Sequence, residues 1–285
     1  MKIINHSRQN GFTIVELMIS LLLSTILIYA IGGILIASNR AASTSDTLGD
    51  TQDTGRFVAD YMHRQLLRAG FNPSPDVTSG FDPFPGLCAA VDDFLCSREV
   101  SNGTGDRIAI RRVAEAAEEA GDPVPVSCAG AELTDTDGNA IVEDVVVVDA
   151  YWVEEVNGLS NLRCQTYDEN GTIRAAGAGF GNAQSLASGM LSIHALYGES
   201  DTPPDSKEVL AVKQYVNADQ VDRWNRIYSV RLAITTRAAE ESAGSPWRKQ
   251  IQVMDSQPLD VTDRVARQVF TTTTALMNLR EDSAI

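Results

Sequence analysis

Gly11-Phe12-Thr13-Ile14-Val15-Glu16-Leu17-Met18 opens an apolar run that continues to Ala37 with Glu16 as its one charged residue. Rising about 1.5 Å per residue, a helix over this run would be about 39 Å long, enough to cross a hydrocarbon core of about 30 Å with some tilt. A carboxylate inside such a span costs about 2.5–3.5 kcal/mol at mid-bilayer, and less toward the end where Glu16 sits. Glu16 therefore marks a candidate functional site that needs a partner. The plainer alternative is a signal-anchor whose Glu16 snorkels into the headgroups. Lys2 and Arg8 precede the run, and Arg40 is the nearest positive charge after it. The bias places the N-terminus in the cytoplasm and the chain after the span on the far side of the membrane. A cleaved secretory signal would have an apolar region of about 7 to 15 residues, shorter than this one.

The 285 residues carry 38 acidic and 23 basic side chains, a formal net charge of −15. That balance suits a solvent-facing ectodomain and argues against general nucleic-acid binding, because phosphates would be repelled. The four cysteines are Cys88, Cys96, Cys128 and Cys164. They form no C-x-x-C pair and no zinc-spaced cluster with histidine. Beyond a membrane anchor an even count reads as two disulfides, for which three connectivities exist. Cys88 with Cys96 would close a short loop, and Cys128 with Cys164 would then tie two strand regions. Free buried thiols are the other reading.

Residues 38–55 are rich in Ser, Thr, Asp and Gly, so they read either as a tether or as the solvent face of a continuing helix. Helical period returns over 56–69, where Val58, Met62 and Leu66 form one apolar stripe. Arg56, His63, Arg64 and Arg68 lie on the other faces, and Gly70 and Pro73 end the helix. Residues 71–97 are loop-like. Strands are expected over Arg107–Val113 (half-buried), Val145–Val153 (buried on both faces), Leu162–Tyr167 and Thr172–Arg174 about an Asn170-Gly171 hairpin turn. Further strands are expected over Leu191–Tyr197, Ile227–Thr236, Lys249–Met254 and Val269–Leu279. One helix followed by strands is α+β with an antiparallel sheet.

Asp135-Thr136-Asp137-Gly138-Asn139 invites a calcium reading through Asp135, Asp137 and Asn139, but the positions that must hold Gly and Glu in an EF-hand are Ala140 and Val146. A polar turn explains the same residues. No nucleophile–base pair, phosphate loop or dinucleotide fingerprint is present, so neither enzymatic activity nor a cofactor is expected. His194 reads as a core or surface histidine. Arg64 with Arg68, and Arg111 with Arg112, are local basic spots.

The order Gly11-Phe12-Thr13-Ile14-Val15-Glu16 after a short basic leader resembles the processing motif of type IV prepilins. The resemblance implies cleavage between Gly11 and Phe12 by a prepilin peptidase, N-methylation of Phe12 by the same enzyme, and pairing of Glu16 with the terminal amine of a neighbouring subunit. It divides the chain into a leader (1–11), a membrane and filament-core helix (12–37), a polar then amphipathic helix half (38–70) and a β-rich domain (71–285). Major pilins carry Pro at the position of Gly33 and Gly at that of Thr25, and this sequence departs at both. Thr54-Gly55-Arg56-Phe57-Val58 through Gly70-Phe71, Leu196 to Asp201, Trp224 to Leu232 and Arg267 to Leu276 resemble the PilW family of minor pilins. That family implies a non-enzymatic subunit that primes pilus assembly, sits at or near the tip, and supports motility and adhesion. Implied partners are other minor pilins, the major pilin, the peptidase/methylase, the inner-membrane assembly platform and membrane lipid. The implied location is the inner membrane, then the pilus at the cell surface. The close alternatives are a J-type pseudopilin of type II secretion and a tip adhesin.

Overall fold

The apolar run and the polar stretch after it form one helix. In the computed structural model α1 spans Ile14–Leu67, 54 residues, so residues 38–55 are helix and not tether. The structure describes residues 11–73, 82–88, 94–100, 105–116, 124–134, 139, 141, 143–156, 158–170, 183–204, 211–241 and 246–278. The chain divides into two compact units, Met1–Asp46 and Thr47–Ile285, and α1 contributes to both. In the first unit the described residues are exposed almost throughout. The hydroxyls inside the apolar run bond to the helix itself: Ser20 Oγ donates to the Glu16 carbonyl, Ser24 Oγ to Ser20, and Thr25 Oγ1 to Leu22. With those donors satisfied, the polar side chains remain compatible with hydrocarbon.

In the second unit α1 buries Thr51, Gly55, Val58, Met62 and Leu66. Their 4-3-4-4 spacing is one helical stripe. Beyond it lie β1 (Ile108–Ala114), β2 (Val145–Val156), β3 (Leu159–Asp168), β4 (Gln184–Ser188), β5 (Met190–Glu199), β6 (Gln214–Val216), β7 (Ile227–Glu241), β8 (Trp247–Ile251), β9 (Leu259–Asp263) and β10 (Val265–Ala275). They pair antiparallel as two four-stranded sheets, β1-β2-β3-β4 and β10-β7-β5-β6, and a hairpin of β8 with β9. The α+β class and the antiparallel pairing are those expected. Val58, Met62 and Leu66 share one core with Ile110, Tyr151 and Leu162 of the first sheet and with Ile193, Leu232 and Ile234 of the second.

Several local expectations change. β1 is buried on both faces rather than on one, with Ile108 and Ile110 in the main core, and the chain at Phe71 and Pro83 covers its outer edge as well: Val113 N–H donates to Phe71 O, and Arg111 N–H to Pro83 O. The strand expected over Lys249–Met254 is β8, two residues earlier, and Met254 lies in a turn with φ 50°. β10 begins four residues before Val269. β4, β6 and β9 are not among the expected strands: at five, three and five residues they hold too few apolar positions to stand out. Asn170 lies in a turn, its N–H bonded to Asp168 Oδ1, while Gly171 and Thr172–Arg174 fall outside the described residues.

The end of α1 is decided from afar. Gly70 has φ +73°, as a helix-terminating glycine should, but its N–H donates to Arg111 O on β1. The orphan carbonyls of Leu67 and Ala69 accept from the Asn278 side chain at 2.7 and 3.2 Å. A residue 211 positions away from Leu67 therefore does the capping.

Candidate functional site

At the mouth of α1, Gly11, Phe12 and Thr13 lie outside the helix and are exposed. Thr13 is the N-cap. Its Oγ1 accepts from Glu16 N–H at 3.2 Å, while its own N–H and hydroxyl donate to Glu16 Oε2 at 3.3 and 3.2 Å. This is a reciprocal capping box, Thr-x-x-Glu, in which each side chain satisfies a backbone donor of the other. The carboxylate also sits at the positive end of the helix dipole. Neither a neighbouring subunit nor the headgroups are needed to satisfy Glu16 in the single chain. The structure supplies a partner in the same chain, and the Thr13-to-Glu16 spacing was the signal that would have found it. The peptide bond between Gly11 and Phe12 lies two residues outside the capped helix, in exposed backbone. Residues 1–10 of the leader are outside the described residues.

The polar centre of the second unit is Arg112. Its Nε donates to Asp149 Oδ2 at 2.7 Å, and its terminal Nη2 donates to Val126 O at 2.7 Å. Arg112 and Asp149 side chains are each 2% exposed. Thr166 Oγ1 donates to Asp149 Oδ1 at 2.5 Å and accepts from Cys128 N–H at 2.9 Å. The Tyr61 hydroxyl donates to Cys128 O, which brings α1 into the same network. Burial pushes the Tyr61 phenol up to about 12. The reading of Arg111 with Arg112 as a surface basic spot is thereby corrected: Arg112 is an interior cation with a dedicated counter-ion, so it offers nothing to an external anion. Cys128 is bonded to Cys164 on β3, and Cys88 to Cys96.

The remaining candidates scatter. His194 is half-buried on β5 with Nδ1 3.7 Å from Asp106 Oδ1. Asp106 is a strand plug: its N–H donates to Ile193 O, and its Oδ2 accepts from Ala195 N–H at 2.8 Å. His63 Nδ1 meets Thr274 Oγ1 at 2.7 Å, and Arg64 pairs with Asp60 one turn back. Arg68 is half-buried above Tyr61 and Arg112, and burial lowers its pKa. Asp135 and Asp137 lie outside the described residues, leaving Asn139 as the described member of the calcium candidate. Among the described residues no three His, Cys, Asp or Glu side chains are placed to hold a metal.

The apolar helix that starts at a capped Thr-x-x-Glu beyond an exposed Gly-Phe bond is similar to the N-terminus of prepilin-type proteins. Residues 6–28 match the family model of the prokaryotic N-terminal methylation motif. Residues 150–278, from β2 through the end of β10, match the model described as type IV pilus-assembly protein W. The two matches support a PilW-like minor pilin of the type IV pilus. Pilin-family domains are structural subunits, not enzymes. Neither a curated protein nor a solved structure matches the chain.

Proposed function

We propose that this minor pilin helps to initiate type IV pilus assembly and is built in at or near the tip, where it supports pilus-dependent motility and adhesion. The observation that carries the reading is one chain holding both Gly11-Phe12…Glu16 at the mouth of an apolar helix and the PilW match over its strands. In this reading a membrane peptidase cuts between Gly11 and Phe12, and Phe12 is N-methylated. The helix holds the subunit in the inner membrane with its C-terminal domain in the periplasm until extraction into the filament. Its partners are the assembly platform, other minor pilins and the major pilin.

Glu16 then has two successive partners. In the single subunit, Thr13 supplies neutral donors to the carboxylate. In the filament, a neighbour's Phe12 amine replaces them with a charged donor, and charge-assisted hydrogen bonds are roughly twice as strong as neutral ones. Desolvation offsets much of that gain, so the exchange fixes register more than it adds stability. The test is intact-mass analysis of the protein recovered from sheared pili. The expected N-terminus is methylated Phe12, and Glu16→Ala should be processed yet under-represented in pili. Retention of residues 1–11, or equal incorporation of Glu16→Ala, would sink the reading.

A further inference from the structure

The two disulfides differ in what an incoming thiolate can reach. Cys128, Cys164 and Cys96 are 4%, 0% and 5% exposed, whereas Cys88 is only half-buried. Hydrogen bonds also hold the two ends of the Cys88–Cys96 loop, independently of its S–S bond. Cys88 N–H donates to Ser97 O at 3.3 Å, and Ser97 N–H to Gly86 O at 3.0 Å. Ser97, next to Cys96, is fully buried, and its Oγ accepts from Ala109 N–H of β1 at 3.1 Å. Arg98 and Arg107 exchange backbone hydrogen bonds, each at 2.9 Å. Within the loop, Phe94 packs on Trp152 of β2 with ring centroids 4.9 Å apart. The Arg107 guanidinium lies 4.2 Å over the Phe94 ring, and its Nη1 donates to Cys88 Sγ at 3.9 Å. A cation beside a sulfur favours the thiolate, the form that leaves and attacks in exchange.

From this we infer that Cys88–Cys96 is a thiol–disulfide exchange site that an external dithiol opens and recloses within the folded domain. A thiolate of the dithiol attacks Cys88 Sγ, the Cys88–Cys96 bond breaks, and Cys96 leaves with the electron pair and takes a proton from solvent. The second thiolate of the dithiol then attacks its own sulfur in the mixed disulfide, and Cys88 leaves as a thiolate beside Arg107. Two electrons have passed to the cysteine pair, and the dithiol has become a disulfide and released its two protons to solvent. Reclosure runs the same steps backwards: Cys88 attacks the oxidised partner, and Cys96 displaces it. The backbone bonds through Ser97 keep the two cysteines in place for that return. Arg107 acts through Cys88 as a positioning residue. The inference rests on the loop alone and stands apart from the assembly role.

The test treats the full chain in detergent micelles with dilute dithiothreitol, traps thiols with iodoacetamide at intervals and locates them by peptide mass. Cys88 and Cys96 should become alkylated at least about tenfold faster than Cys128 and Cys164. The aromatic near-ultraviolet circular dichroism should persist meanwhile, and oxidised glutathione added after removal of the reductant should restore the bond. These measurements need no variant. In the opened protein, Arg107→Gln should slow alkylation of Cys88 at neutral pH about threefold and move its pH profile upward, and Arg107→Lys should retain most of the parent's rate. Opening of both disulfides together, loss of the aromatic signal when the first opens, or failure to reclose overturns the inference. So does a Cys88 pH profile that Arg107→Gln leaves in place.

Discussion

Thr13 and Tyr61 act through single hydroxyls, and in each case the partner defines the role. Thr13 meets a residue three positions away, so local sequence contains the interaction. Tyr61 meets Cys128 O, 67 residues on, and only folding brings them together. Burial raises the Tyr61 pKa from 10.0 to about 12, so its neutral form is the one the fold holds. The contribution is complete below pH 10, where the unfolded phenol is also protonated, and it is lost as the pH climbs from 10 through 12. A shift of this size corresponds to roughly 3 kcal/mol. Burial likewise raises Tyr151 and Tyr197, so alkaline destabilisation is shared. Urea titrations at pH 8 and pH 11 should show Tyr61→Phe losing less stability between the two than the parent does. At pH 8 the variant should be weaker by about 1 kcal/mol, for one hydrogen bond.

At the level of elements, the contact between α1 and the second sheet depends on a gap. Gly55 faces the Phe270 ring so closely that an added Cβ would overlap it. One turn earlier, Thr236 Oγ1 on β7 donates to the Thr51 carbonyl at 3.2 Å, which also requires close approach. A glycine inside a helix costs about 1 kcal/mol relative to alanine, so Gly55→Ala would favour the helix locally and oppose its docking. Overpacking should win, lowering stability by about 1–3 kcal/mol. Adding Phe270→Leu should recover part of it. Thermal unfolding followed by near-ultraviolet circular dichroism separates the outcomes, and an unchanged or raised midpoint for Gly55→Ala would refute the tight approach. The apolar stripe of α1 was legible from Val58, Met62 and Leu66. The glycine notch was not, because period 3.6 marks which face is buried without saying how near its neighbour comes.

Across the molecule the two disulfides are unequal. Cys88–Cys96 spans 8 residues and Cys128–Cys164 spans 36. Chain entropy makes the longer loop worth about 1.3 kcal/mol more. Its position adds to this, since Cys128 also carries the Tyr61 and Thr166 hydrogen bonds beside the buried Arg112–Asp149 pair. Cys128→Ala/Cys164→Ala should therefore destabilise the protein more than Cys88→Ala/Cys96→Ala in chemical denaturation. Equal losses would mean that the network holds without its covalent tie.

The sequence by itself determined the N-terminal motif, the apolar span, the helix-then-strands order and the antiparallel class. All of these rest on residues close together in the chain, where period, charge and short spacing carry the information. The tertiary structure alone decided the division into two sheets, the interior place of Arg112 and the capping of α1 by Asn278. Each of these depends on groups tens to hundreds of residues apart, and their energies appear only when burial removes water and leaves every polar group to find a partner. Glu16 belongs to both accounts. Its oddness was plain in the apolar run, and its bond to Thr13 was written in the same six residues, yet the helix had to begin at Ile14 for the two side chains to meet.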